Sequence, residues 1–210
     1  MYVGRIVAIG RNMAGAAAAL YRVSSRSFPN RQSLLLEHSV AIVPKPGHES
    51  DIQKNPYIAY NCLRLAADYA VVSNGSHTDP VSEKLAAGLP PREALAYVML
   101  SMDYEHDSLD TPRIAGVVRA DGQRGWLGIV RKDALLVKEF SLQPGQLYYV
   151  CTYEHNEPGE AQCVSAFSAN NAAESCAYIL GQGDFARFEK PVSAASAMIE
   201  GQGRFTVAIA

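Results

Sequence analysis

"DPVSEKLAAGLPPREALAYVMLSM", residues 79–102, reads as two adjoining helices, and its place in the chain decides the architecture. Asp79 suits an N-cap with Pro80 in the first turn, and Pro90-Pro91 start a second helix through "REALAYVMLSM", where apolar residues recur at helical spacing. Before this block the pieces are strand-like. "RIVAI" (5–9) and "AALYRVS" (18–24) flank the Gly-bearing turn "GRNMAG" and read as a hairpin, and "HSVAIVP", "PYIAYNCLRL" and "YAVVSN" continue with β-branched and aromatic residues. After it come "RIAGVVR", "GWLGIV", "ALLVKEF" and "QLYYVCTY", a helix in "NNAAESCAYIL" stopped by Gly181, and a closing strand "RFTVAIA". Strand groups separated by helix groups predict an α+β protein with layered sheets, not the strict alternation of a doubly wound fold.

At 210 residues, 48% hydrophobic and 19% charged, the chain has the composition of an ordinary globular protein and enough length for a substantial core. No repeat, low-complexity tract or linker interrupts it, so residues 1–210 are expected to form a single domain. A formal charge of -2 excludes a broad basic face for nucleic acid, so any bound anion is expected to be small. Arg11 and Asn12 interrupt the apolar N-terminal run before an export signal can form, and no stretch approaches a membrane span; a soluble, membrane-free protein is expected. Cys62, Cys151, Cys163 and Cys176 form no CxxC pair, which suggests reduced thiols and a cytoplasmic home.

Polar residues that could carry chemistry cluster in four places. In "YRVSSRSFPNR" (21–31) a strand would put Arg22, Ser24 and Arg26 on one face, and a turn at Pro29 would bring Asn30 and Arg31 to the same end. Guanidiniums and hydroxyls at one spot suit a phosphate; the alternative is a solvated face whose arginines pair with surface carboxylates. Tyr60 and Asn61 sit among apolar neighbours in "NPYIAYNC", where a tyrosine serves as core or as a proton donor in a dry site. "SNGSHTDP" (73–80) offers Asn74, Gly75, Ser76, Thr78 and Asp79 either as a turn with a helix cap or as an anion cradle at a helix start. "SMDYEHDSLDTPR" (101–113) places carboxylates at a helix C-terminus against the helix dipole, so Glu105 and its neighbours are either proton carriers near arginines or a solvated loop. His77, His106 and His155 lack metal-ligand spacing, and "GRNMAG" lacks the Lys and Ser/Thr of a P-loop, so neither metal nor ATP is expected.

"MYVGR", "YRVSSRSFPNR", "NPYIAYNC", "SNGSHTD" and "MDYEHDSLDTPRI", in this order and followed by "CTYEHNEP" and "KPVSAASA", resemble the archaeal-type IMP cyclohydrolase family over essentially the whole chain. The resemblance implies a four-layer αββα sandwich of the N-terminal-nucleophile hydrolase type. It also implies closure of 5-formamidoimidazole-4-carboxamide ribotide to IMP with loss of water, the last step of purine synthesis, by a homo-oligomer (dimer or tetramer) with no cofactor. The wider superfamily begins with Cys, Ser or Thr, whereas Met1-Tyr2 offers no such nucleophile, so covalent catalysis is not expected.

Ring closure needs no enzyme nucleophile, because the substrate's own carboxamide nitrogen attacks its formyl carbon. What the protein must supply is orientation, proton transfer and an oxyanion site. On this resemblance Arg31, Tyr60, Asn74 and Glu105 surround the closing ring, Tyr60 and Glu105 handling protons and Arg31 or Asn74 meeting the formyl oxygen. Arg22, Arg26, Ser76 and Thr78 include the phosphate and ribose contacts, with Ser24, Asn30, Asn61, Gly75 and Asp79 as further binding residues. A non-catalytic ribotide sensor and an amidohydrolase of another ribotide are the alternatives.

Overall fold

The computed structural model describes residues 1–210. In chain order the elements are β1 (Ile6–Arg11), β2 (Ala17–Ser24), β3 (Arg31–Leu35), β4 (Ser39–Pro44), α1 (Asp51–Lys54), β5 (Tyr60–Ala66), β6 (Tyr69–Ser73), α2 (Thr78–Ala86), α3 (Pro91–Met102), β7 (Arg113–Arg119), β8 (Arg124–Arg131), β9 (Ala134–Ser141), β10 (Leu147–Cys151), β11 (Cys163–Val164), α4 (Ala172–Gly181), β12 (Pro191–Glu200) and β13 (Arg204–Ile209). Two antiparallel sheets result: six strands in the order β11-β10-β1-β2-β12-β13, and seven in the order β3-β4-β5-β6-β7-β8-β9.

The strand period of two explains how the sheets stack. Val7 and Ile9 of β1 and Tyr21 and Val23 of β2 point across to Val72, Ile114 and Leu127 of the larger sheet. The alternate residues Ile6, Ala8 and Leu20 point the other way, onto Cys176 and Ile179 of α4. On the far side Val71, Ala115 and Val117 cover Val81 of α2 and Leu95 and Met99 of α3. Both sheets are thus buried on two faces over much of their area, which is why their strands read as nearly continuous apolar runs. Gly116 permits the close approach of the sheets, because a Cβ there would lie 2.8 Å from Val7 Cγ1 and 2.9 Å from Ile9 Cγ2.

The β1–β2 hairpin, the two central helices and the strands after them stand where the sequence predicts, apart from shifts of a residue or two at the ends. Two local expectations need correction. The first helix starts at Thr78 after His77, so Asp79 is not its N-cap; the Asp79 carboxylate instead accepts hydrogen bonds from Asn61 Nδ2 at 2.9 Å and Arg64 Nη1 at 3.1 Å. Strand β2 ends at Ser24, short of Arg26, and after the 25–30 connection Arg31 opens β3 in the other sheet. In addition, "PVSAASAMIE", to which the local pattern assigns no element, forms β12 between β2 and β13 despite its low strand propensity. Small residues are required there: Ala195 and Ala197 face the inter-sheet core, while Ser196 Oγ reaches α4 and donates to Ala172 O at 2.6 Å.

Candidate active site

Antiparallel neighbours alternate direction, so one end of the two stacked sheets gathers the start of β1, the end of β2, the starts of β3, β5 and β7 and the end of β6. A cavity of about 280 Å³ opens there, lined by Arg5, Arg26, Arg31, Tyr2, Tyr153 and the 25–28 and 107–109 loops among others. A larger groove, about 530 Å³, lies beside Pro90 and Trp126. Its guanidiniums already have surface partners, Arg92 with Glu93 at 3.5 Å, Arg119 with Asp121 at 3.4 Å and Arg124 with Glu139 at 3.2 Å, which leaves little unmet demand for a ligand.

The smaller cavity has a different electrostatic floor. Glu105 is fully buried between Arg5, whose Nη2 is 3.3 Å from Oε2, and Arg113, whose Nη1 is 3.7 Å from Oε1. Burial pushes the Glu105 carboxyl up to about 7, and Arg5, Arg113 and Arg31 pull against that rise. Burial also works against the Arg5 charge, but Glu105 and the phenols of Tyr60, Tyr21 and Tyr153 more than offset it and hold the guanidinium protonated. Three arginines around one carboxylate leave the site with excess positive charge. Arg5 Nε and Arg31 Nη1, on residues that line the cavity, are buried donors with no protein acceptor, each costing about 1–3 kcal/mol if left unmet. Such a site invites an anion or an electron-rich oxygen.

The loop carrying Glu105 is held by its own acids. Glu105 N donates to Thr111 O at 2.8 Å, and the Asp107 carboxylate accepts from Thr111 N at 2.9 Å and Thr111 Oγ1 at 2.8 Å, while Asp110 pairs with exposed Lys132 at 2.8 Å. These contacts account for an acid-rich segment after α3 that helix electrostatics disfavours. Across the inter-sheet core, Tyr60 and Tyr21 share a hydrogen bond of 2.6 Å between hydroxyls. Either hydroxyl can donate in that bond; burial, with Tyr60 beside it, pushes the Tyr21 phenol well above its ordinary range, so Tyr21 keeps its proton.

Of the residues singled out in the sequence, Arg26 and Arg31 line the cavity, with Glu105 and Gly75 joined to it through Arg5 and Arg113. Arg26 is exposed, stacks over the Tyr2 ring at 4.2 Å and lies 3.5 Å from Glu189. Asn30, half-buried in the same loop, is not among the cavity-lining residues.

Others are engaged elsewhere. Arg22 points to the α4 side of its sheet, where Nε donates to Ser24 Oγ at 3.0 Å, Nη1 to Ile179 O and Phe185 O at 3.2 Å each, and Nη2 to Phe188 O at 2.6 Å and Glu189 O at 3.2 Å. Every donor nitrogen is occupied and the side chain is fully buried, so the expectation of a phosphate contact for Arg22 and Ser24 gives way to a structural role. Asn74 clamps the start of β7, its Nδ2 donating to Pro112 O at 2.9 Å and its Oδ1 accepting from Ile114 N at 2.7 Å. Thr78 Oγ1 is bound within its turn to Ser73 Oγ and Gly75 O, and Asn61 and Asp79 pair with each other beside α2. Ser76 is exposed and outside the cavity lining.

Arg5, Tyr21, Arg113 and the ring of His77 are the participants that residue chemistry alone did not single out. Arg5 and Arg113 each stand directly before an apolar strand, in "GRIVAI" and "PRIAGVV", and a lone cation heading a buried strand is the one local signal that could have marked them.

The family model described as "IMP cyclohydrolase-like protein" matches residues 2–203. Similar proteins named IMP cyclohydrolase include that of Methanosphaera stadtmanae, 46% identical over 94% of each chain. That of Methanocella arvoryzae is 49% identical over 94% of this chain and 92% of its own. That of Halobacterium salinarum is 43% identical over 97% of this chain and 94% of its own.

Proposed function

Since the chain belongs to the IMP cyclohydrolase family, we propose that the cavity between Arg5, Arg26 and Arg31 binds 5-formamidoimidazole-4-carboxamide ribotide and closes it to IMP with loss of water. The observation that carries this reading is the buried Glu105, tuned to about 7, beneath a cavity with surplus arginine charge. A carboxyl with that pKa exchanges protons readily at neutral pH.

In this reading the 25–28 loop, with Arg26 and the Ser25 and Ser27 hydroxyls, receives the 5'-phosphate at the open side of the cavity, and Phe28 and Ile58 flank the imidazole. Glu105 takes the carboxamide proton as nitrogen attacks the formyl carbon. Arg31, with its unmatched Nη1, steadies the oxygen that gains charge, and Tyr60 donates toward it. The proton Tyr60 gives makes that oxygen a hydroxyl, the proton held on Glu105 then leaves with it as water, and the formamide N–H proton returns to Tyr60 as the ring C=N bond forms. Arg31 is favoured over Asn74 as oxyanion partner because the Asn74 amide is engaged at both ends by backbone. Binding energy from the remote phosphate seats the ribotide in the cavity, and the residues around the ring orient the two reacting groups.

The same proposal takes the stacked sheets and their outer helices as one domain over 1–210, a four-layer αββα sandwich of the N-terminal-nucleophile hydrolase type that works without a covalent nucleophile. A cytoplasmic homo-oligomer belongs to it as well, supported by the exposed Leu34, Leu35 and Leu36 at the edge strand β3. No helix is long and apolar enough to cross a membrane.

The test is to add the formamido ribotide to purified protein, without metal or ATP, and follow the ultraviolet change as the purine ring closes. Turnover supports the proposal, whereas binding of IMP without turnover replaces it with a ribotide sensor. Arg26→Met is expected to raise KM about tenfold with kcat nearly unchanged, the loss of roughly 1.4 kcal/mol of uniform binding. An unchanged KM removes Arg26 from the phosphate site.

A further inference from the structure

A Cβ placed on Gly75 would lie 2.8 Å from Arg113 Nη1, 3.1 Å from His77 Nδ1 and 3.3 Å from Glu105 Oε1. All three atoms are buried and none has a hydrogen-bond partner of ordinary length. We infer that Arg113 is a positioning residue for Glu105, held toward its Oε1 by the space that Gly75 leaves open. The inference rests on the proton-transfer reading of Glu105 and adds to it residues that set the state of that carboxyl.

The imidazole's role follows from its bonding. His77 Nε2 lies 3.0 Å from Ile114 O, and a carbonyl can only accept, so the proton is on Nε2. Burial, aided by the Arg113 charge, lowers the ring's pKa to about 3, so Nδ1 is a bare acceptor at any working pH. Arg113 is anchored from behind, its Nε donating to Asp103 O at 2.8 Å. Its Nη1 therefore approaches Glu105 Oε1 to 3.7 Å in the corner beside Gly75 that His77 Nδ1 also faces, and an added methyl would have to displace it.

The charges acting on Glu105 come from every side: Arg5 ahead of β1, Arg31 at the start of β3, Arg113 at the start of β7, and Asp107 from its own loop, with the uncharged His77 completing the wall before α2. Arg5 and Arg31 also line the cavity and are committed to ligand in the functional reading, whereas Arg113 does not line it. Arg113 is thus the cation free to act on Glu105 alone.

The experiment compares Arg113→Met, Arg113→Lys and Gly75→Ala with wild type. It measures kcat and KM against pH and, independently of substrate, the titration of the buried carboxyl by difference infrared spectroscopy, with Glu105→Gln identifying the band. Weakening a cation beside a carboxylate disfavours its charged form, so in Arg113→Met and Gly75→Ala the carboxyl titration and the acid limb of kcat are expected to move up by about one pH unit or more. KM should stay within about threefold. Arg113→Lys should recover part of the shift. Gly75 does not have a positive φ, so its alanine variant tests the contact without backbone strain and carries the test should Arg113→Met fail to fold. A carboxyl titration that stays put in a folded variant overturns the positioning role. Failure to close the ribotide at all overturns the functional reading instead, and the infrared titration still decides the role of Arg113.

Discussion

Glu105→Gln is expected to lower kcat for closure of the formamido ribotide by about 10²–10⁴-fold, the usual worth of a placed general acid–base, while KM changes little. Glutamine keeps the size and can still accept from Arg5, so the loss isolates proton transfer from packing. Wild-type kcat should rise with pH through about 7, where the buried carboxyl ionises, and that limb should vanish in the variant. Steady-state rates from pH 5 to 9 read both effects. Near-normal turnover in Glu105→Gln would withdraw the role.

Stability should move the opposite way. The folded protein holds the Glu105 proton up to about pH 7, whereas the unfolded chain releases it at about 4.3. The group therefore contributes its full stability below that lower value and loses it as pH rises through 7. Glutamine has no proton to lose, so above pH 7 the variant should melt higher than wild type, a trade of activity for stability common at strained sites.

The second large effect concerns folding and not catalysis. Arg22→Met is expected to cost about 3–5 kcal/mol, because three buried carbonyls, a partly buried one and a serine hydroxyl lose their partner at once. For a chain of this size that is a fall in Tm of roughly 6–20 °C. Ile179 O belongs to the last turn of α4, where carbonyls lack helical partners, and Phe185, Phe188 and Glu189 lie in the segment that follows. Arg22 thus ties the C-terminal end of α4 and its following turn to the sheet. Burial lowers its pKa only to about 10, so it stays charged at neutrality and stabilises all these oxygens. Thermal melting reads the stability, and KM at a temperature where the variant is folded should be unchanged. A stable variant with a raised KM would return Arg22 to the phosphate site.

Arg22 and Arg31 show how far a sequence pattern reaches. The period of two correctly separates Tyr21 from Arg22, but the pattern does not reveal which face meets the second sheet. Tyr21 is the one that reaches Tyr60, and Arg22 turns away. Arg31 enters the cavity because β3 pairs with β4 in the other sheet, a long-range choice with no local signature. Glu105 stands out in the sequence as a carboxylate where helix electrostatics disfavours one. Its pairing with Arg5 and Arg113 spans separations of 100 and 8 residues, and each arginine carries only the local mark of a cation heading an apolar strand.

The sequence by itself determined the strand and helix segments through apolar periodicity, proline and glycine placement, and the motifs that resemble one family. These depend on contacts between near neighbours, which composition and spacing encode. Only the tertiary structure decided which polar side chains lose water together. Burial, and with it the tuning of Glu105, the neutrality of His77 and the structural role of Arg22, is a property of what the rest of the chain lays over each residue.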